Sequence, residues 1–202
     1  MEENFDKKSE APEKSVGKDG DSFFWEVLKF FFLTLLIVIP VRFWVAQPFI
    51  VSGASMLPTL LDGEYLIIDE ISPRFQDYER GEIVVFRYPN DPSKFFIKRI
   101  IGLPGDMISI KDGKVFLYNE EHKDGVLLQE PYIDGIITGP EESITLGKDE
   151  YFVLGDNRNV SFDSRVFGAL EKDFVVGRVL VRLWPFTKIE FNPGEYIFSG
   201  LK

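Results

Sequence analysis

The sequence predicts a mainly β protein: one apolar N-terminal helix that spans a membrane, followed by an antiparallel β-barrel or sandwich domain. Three observations carry this reading. Residues 30–41 run as twelve positions without a charge. Beyond residue 60 the chain breaks into short stretches rich in Val, Ile, Phe and Tyr, each bounded by Gly, Pro or Asp, which is the signature of strands and tight turns. No helical period of useful length follows the first apolar run.

The elements follow in chain order. Residues 1–22 hold four Lys and seven Asp or Glu and almost nothing to bury, so they read as a disordered tail. The S-x-x-K match inside it, Ser15 to Lys18, is a chance match in such a segment. Residues 23–45 supply the anchor: a span needs about 20 largely apolar residues. Glu26 and Lys29 sit close enough to one end to reach the interface, and Trp25 and Trp44 suit the two aromatic belts. Five lysines (Lys7, Lys8, Lys14, Lys18, Lys29) precede or open the span, and Arg42 alone follows it before Arg74. The excess of positive charge places the tail in the cytoplasm and residues 46–202 outside. A removable signal peptide fits less well, because the leading segment is long and acidic and Trp44 spoils a cut after Ala46. The strand candidates are then "EYLIIDE", "GEIVVFRYP", "KFFIKRIIG", "DMISI", "GKVFLYN", "ESITL", "DEYFVLG" and "DFVVGRVLVRLW". Residues 119–143 are turn-rich and form part of a looser lobe.

Composition narrows the chemistry. The 202-residue chain has a net charge of −10, which argues against binding a phosphate backbone. It has no cysteine, so disulfides, thiol nucleophiles and Cys-based metal sites are all excluded. The single histidine, His122, lies in the polar run "NEEHKDG" and reads as an ordinary loop residue. A Ser-His-Asp triad and a typical zinc site both lack their parts, and no metal or cofactor is expected.

Two serines, Ser52 and Ser55, follow the apolar run in "SGASMLPTL". A serine nucleophile needs a base, which here must be Lys, Asp, Glu or an N-terminal amine. Most lysines lie in polar turns. Lys98 does not: in "KFFIKRII" the alternation puts Phe96, Lys98 and Ile100 on one strand face. Apolar surroundings disfavour the ammonium form, and a base working near neutrality needs a pKa of about 7–8 instead of about 10.4. The plainer alternative is a Lys-Arg pair at a sheet edge with its ammonium in water. A third stretch, "GDNRNVSFDSR" (Gly155 to Arg165), is dense in polar and charged groups behind a strand. Asp163 and Arg165 can pair with each other or tie the loop to neighbouring strands, and Ser161 can hold an amine in place. The plainer alternative is a solvated turn with a chance N-x-S match at Asn159 to Ser161.

The blocks "SMLPTL", "FIKRIIGLPGD" and "LGDNRNVSFDSR", in this order and behind an apolar anchor, resemble the motifs of bacterial type I signal peptidase (leader peptidase), and "GEIVVFRYP" resembles a strand of that family's substrate groove. The resemblance runs from about Phe30 to Trp184 and implies a mainly β catalytic domain with a small second β lobe, here residues 106–150. It implies Ser55 as nucleophile, Lys98 as general base and Ser161 as the residue orienting the Lys98 amine. Asp156, Asp163, Arg99 and Arg165 become supporting ion pairs. The Ser55 N–H becomes half of an oxyanion hole. Gly53 stands where some members carry a serine that supplies the other half, so a backbone N–H is the candidate donor.

The implied substrates are exported preproteins, cut after small-x-small sites of the Ala-x-Ala kind as they emerge from the bacterial cytoplasmic membrane. Because about nine residues join anchor to nucleophile, Ser55 is expected to work close to the bilayer, with Phe49 and Ile50 either touching lipid or packed in the core. Two rival readings are a soluble self-cleaving repressor of the SOS type, disfavoured by the anchor and the "GDNR" block, and an inactive tethered module that binds exported peptides, disfavoured by the intact Ser55, Lys98 and Ser161 set.

Overall fold

The computed structural model describes residues 19–40, 46–133 and 141–201. Compact packing separates residues 1–41 from residues 42–202.

In the first unit, helix α1 covers Asp19–Pro40. It starts inside the segment expected to be disordered, where Asp and Ser are favoured helix-opening residues; residues 1–18 lie outside the described residues. Phe23, Phe24, Trp25, Phe30, Phe31 and Leu36 are exposed. Among the described residues no helix is long and apolar enough to cross a membrane. The last five residues of the expected anchor, 41–45 with Arg42 and Trp44, lie outside the described residues.

The second unit is antiparallel β throughout. Its strands are β1 (Ala46–Ile50), β2 (Tyr65–Asp69), β3 (Ile83–Tyr88), β4 (Asp91–Gly102), β5 (Met107–Lys111), β6 (Lys114–Tyr118), β7 (Val126–Leu127), β8 (Glu142–Thr145), β9 (Glu150–Leu154), β10 (Leu170–Glu171), β11 (Val175–Trp184) and β12 (Glu190–Phe191). A short α-helix, α2, is Ser164–Phe167, capped by the Asp163 side chain. The larger sheet runs β1-β2-β11-β3-β4-β9-β10, with β12 added to β11. The smaller sheet runs β7-β6-β5-β8. The expected barrel is not closed: among the described residues β1 and β10 end the path without pairing. Register shifts in β11 and β4 are the irregularities that bend a long strand and raise its twist.

Three apolar clusters hold the two sheets. One lies against the smaller sheet (Ile108, Ile110, Val115, Leu117, with Ile101, Phe152 and Phe198). The second joins β1, β2, β3 and β11 to the turn after β1 (Val51, Met56, Leu60, Leu66, Ile68, Val85, Val179). The third joins β3, β4, β9 and β10 (Val84, Phe86, Ile100, Tyr151, Val153, Leu170). The alternation Ile83 and Val85 to one cluster, Val84 and Phe86 to another, explains why "IVVF" reads as a continuous apolar run: both faces of β3 are covered.

The bend brings β1 opposite β4 without hydrogen bonds between them. Phe49 and Phe95 meet edge to face at 5.3 Å. Among the described residues β1 pairs with β2 alone and β9 joins β4 from Arg99 onward, so both walls of the resulting groove carry a strand edge that no described strand pairs.

Candidate active site

The groove has a volume of about 290 Å³. Its lining includes Phe49 and Val51 from β1 and the turn after it, Phe95 and Ile97 from β4, Leu66 and Val85 from β2 and β3, and both Ser55 and Lys98. Ser55 sits in the turn that follows β1. This turn is tied back to the chain ahead of β2 by Val51 N–H to Glu64 O (2.9 Å) and Gly63 N–H to Val51 O (2.9 Å). Met56 and Leu60, buried on the inner side, anchor it to the core.

Lys98 comes from β4. Its flanking same-face neighbours Phe96 and Ile100 both pack in the third cluster, and the residue is only 4% exposed. Lys98 Nζ donates to Ser55 Oγ at 2.8 Å and to the Ile97 carbonyl at 2.7 Å. Burial pushes its pKa down from 10.5 to about 8, against the opposing pull of Asp163 and Asp156. At pH 7 about one amine in ten is then neutral, against a few in ten thousand for an exposed lysine.

Arg99, the next residue, is fully buried. Its Nε and Nη2 donate to the two oxygens of Asp156 at 2.9 and 2.6 Å. Nη1 donates to the carbonyls of Gly81 (2.8 Å) and Gly194 (2.6 Å), and the Tyr132 ring covers the guanidinium at 4.0 Å. Asp156 also accepts from Thr59 Oγ1, four residues after Ser55. Asp163 takes Arg165 Nε and Nη2, both at 2.8 Å, and accepts from Gly155 N–H at 3.1 Å. The four charged residues that the sequence singled out therefore form two separate bidentate pairs.

The loop after β9 presses directly on the turn that carries Ser55. Asn157 N–H donates to Ser55 O at 3.0 Å. A Cβ placed on Gly155 would lie 2.2 Å from Ser161 Oγ and 2.5 Å from Ser55 O, so only glycine allows this approach. Two expected contacts are not formed. Ser161 Oγ is buried without a hydrogen-bond partner and does not reach Lys98. The Gly53 N–H, expected as an oxyanion donor, instead donates to Asp62 Oδ1 at 2.8 Å.

Several participants escaped the sequence reading. Arg158, buried, donates to Gly155 O (3.1 Å) and pairs with both oxygens of Glu130. Tyr132 donates to the same carboxylate at 2.8 Å. Glu130 and Tyr132 lie in the turn-rich stretch "QEPY", where nothing in the local pattern separates a buried anchor from a solvated loop. Asp62 was equally silent. His122 donates its backbone N–H within a local turn around Asn119 and is remote from the groove lining.

The signal peptidase family, peptidase S26, matches residues 24–184 of this chain. A probable signal peptidase I-2 from Synechocystis is 37% identical over 190 residues, covering 91% of this chain and 80% of the relative. A signal peptidase IB from Staphylococcus aureus is 34% identical over 161 residues, covering 74% of this chain and 83% of the relative. The crystal structure of a signal peptidase I from Enterococcus faecalis is 28% identical and superposes with a TM-score of 0.43 over 51% of this chain and 97% of its own. The protein is a serine endopeptidase. The chain belongs to the signal peptidase family, in its type I branch, which removes signal peptides from preproteins.

Proposed function

We propose that Ser55 and Lys98 are the reacting dyad of this peptidase, and that it releases exported preproteins from their signal peptides at the outer face of the membrane. The observation that carries the reading is the 2.8 Å contact between Lys98 Nζ and Ser55 Oγ at the end of an apolar groove. In the neutral amine the direction of that hydrogen bond reverses, and Ser55 O–H donates to Nζ.

The cycle then balances on one proton carrier. Ser55 Oγ forms a bond to the scissile carbonyl carbon while its proton passes to Lys98 Nζ. The carbonyl oxygen becomes an oxyanion, stabilised by the Ser55 N–H; one such donor is worth about 2.7–4 kcal/mol. The C–N bond breaks as the Lys98 ammonium protonates the leaving amine, which is the new N-terminus of the mature protein. Water, deprotonated by Lys98, then attacks the ester, and Ser55 regains its proton. Lys98 carries every proton, so the scheme needs no metal or cofactor. Ser161, whose buried hydroxyl lies against the Ser55 turn and has no hydrogen-bond partner among the described residues, is kept for the orienting role, which it takes by a change of rotamer that brings it to the Lys98 amine. Arg99–Asp156 and Arg165–Asp163 hold the walls and take no proton.

The groove suits an extended chain. A peptide laid between the free edges of β1 and β4 can hydrogen-bond as an added strand. Alternate side chains of such a strand face the same way, so positions −1 and −3 point together into the groove, whose lining includes Leu66 and Val85. Small residues fit there and larger ones clash, which gives the small-x-small preference.

The described apolar part of α1, residues 23–38, is about 24 Å long at 1.5 Å per residue, less than a hydrocarbon core of about 30 Å. The sequence continues apolar through Ile39 and Val41, and a helix apolar on all sides needs an apolar surround; anchoring in the bacterial cytoplasmic membrane, tail inward, rests on these features. In the β unit, Ile50, Tyr65 and Trp184 stand side by side across β1, β2 and β11. All three are exposed, and Phe186 packs on Trp184 at 4.8 Å. This row is the lipid-facing edge. Phe49, by contrast, packs inward against the second cluster.

Detergent-solubilised protein incubated with a preprotein, followed by N-terminal sequencing of the product, tests the whole reading. A cut after an Ala-x-Ala-like site is expected, abolished in Ser55→Ala and in Lys98→Ala. Near-normal cleavage by Lys98→Ala would remove the dyad, and absence of Ser55-dependent labelling by a serine-directed acylating reagent would leave an inactive peptide-binding module.

A further inference from the structure

The C-terminal residues 192–201 lie beyond the stretch that matches the family, which ends at residue 184. They include no strand or helix, yet they run directly behind the reacting pair. Gly194 O accepts from Arg99 Nη1 at 2.6 Å, and Arg99 is the immediate neighbour of Lys98 on β4. The Tyr196 ring packs on Tyr132 at 5.1 Å, and Tyr132 is the ring that covers the Arg99 guanidinium. Tyr196 also packs on Phe198 at 4.8 Å, and Phe198 is buried in the cluster of the smaller sheet. The segment passes so close to the turn before β3 that a Cβ on Gly81 would sit 1.8 Å from Tyr196 O. Gly81 O is itself the other acceptor for Arg99 Nη1.

We propose that residues 192–201 are a positioning strap for the general base: they lock the Arg99 side chain, and through the β4 backbone they hold the Lys98 amine against Ser55. The proposal rests on Lys98 being that base. The physical chain is short. Lys98 and Arg99 project to opposite faces of one strand. Arg99 is buried with its N–H groups spent on fixed acceptors, so it sets where β4 lies at that point. Without the strap one guanidinium N–H loses its acceptor and the aromatic cover opens to water, which frees the strand to move. The amine then leaves Ser55 and becomes better hydrated, hence more basic. None of residues 192–201 lines the groove, so substrate binding is untouched.

The test uses the detergent-solubilised full chain and its Tyr196→Ala and Tyr196→Phe variants, with a fluorogenic signal-peptide substrate. A chain ending after Asn192 is a harsher version, read only if it melts cooperatively. Tyr196→Ala is expected to lose about tenfold in kcat, equal to 1.4 kcal/mol of barrier, with KM unchanged. Its acid limb of kcat/KM moves upward by roughly half a pH unit or more, as a better-hydrated amine requires. Tyr196→Phe, which keeps the ring, restores both. Wild-type kcat and acid limb in Tyr196→Ala overturn the strap, as does a fall in kcat with the limb unmoved, or a loss confined to KM. Lys98→Ala run alongside separates the two failures: if it stays active, the base assignment falls, whatever Tyr196 does.

Discussion

At the scale of single residues, the costs and the chemistry meet at Lys98. Its pKa is about 8 in the folded protein and 10.5 in an exposed chain. Below pH 8 the amine is charged in both states, and the folded state carries the full desolvation cost; above 10.5 it is neutral in both. Stability from this residue therefore rises as pH increases from 8 to 10.5, by about 3 kcal/mol. Lys98→Met, of similar length and apolar, is predicted to be inactive yet more stable than the wild type at pH 7 by up to about 3 kcal/mol. That gain should shrink as pH rises through the same window, read from denaturant midpoints of the two proteins side by side. Activity follows the opposite logic: kcat/KM is expected to climb with pH to a limb near 8, the value at which the amine loses its proton. Asp62 gives a second prediction at this scale. It is exposed and holds Gly53, whose φ is +93°, two residues before Ser55. Asp62→Ala should lower kcat several-fold without moving KM or the melting temperature, and Asp62→Asn, whose carbonyl can still accept, should keep most of the rate.

Elements decide how those residues are held. The loop after β9 is pinned by three bidentate pairs, Arg99–Asp156, Arg158–Glu130 and Arg165–Asp163, and removing one partner of a buried pair costs about 3–5 kcal/mol because the other is left charged and unpaired. Arg99→Ala is therefore predicted to destabilise the protein by about that amount in denaturant titrations, whereas an exposed pair such as Lys94–Asp91 contributes little because water screens it. Gly155→Ala is a sharper probe of the loop itself. The added methyl group would meet Ser161 and the Ser55 carbonyl, so the loop after β9 must lift off the Ser55 turn. Loss of Ser55 labelling with cooperative melting preserved is the expected result. This part of the site was partly legible beforehand. The density of Asp, Arg and Ser in Gly155 to Arg165 marked an ordered loop, and strand alternation put Lys98 on an apolar face. Partner choice was not legible. Arg158 with Glu130, and Gly53 with Asp62, are pairs made by the path of the backbone through space, which no local spacing encodes.

For the molecule as a whole, the bent sheet, the groove and the apolar edge are one construction. The β1 and β4 strands meet through Phe49 and Phe95, and the register of β1, β2 and β11 sets Ile50, Tyr65 and Trp184 in one exposed row. Replacing Ile50 and Trp184 together by Ser should reduce cleavage of a preprotein in liposomes several-fold while leaving hydrolysis of a short peptide in detergent unchanged. Equal loss in both settings would assign the row to folding instead of lipid contact.

What this sequence determined alone was the material of the protein: a β-rich chain behind an apolar helix, a serine, one lysine on an apolar strand face, and no cysteine or triad histidine to compete with them. Local alternation, charge and composition carry that information because each is a property of neighbours in sequence. The tertiary structure alone decided that the described sheet does not close, that Ser161 and Gly53 stand apart from their expected contacts, and that the C-terminal segment returns to Arg99 beside Lys98. Those outcomes depend on contacts between residues tens of positions apart, such as Arg99 with Gly194, whose geometry exists only once the strands have packed.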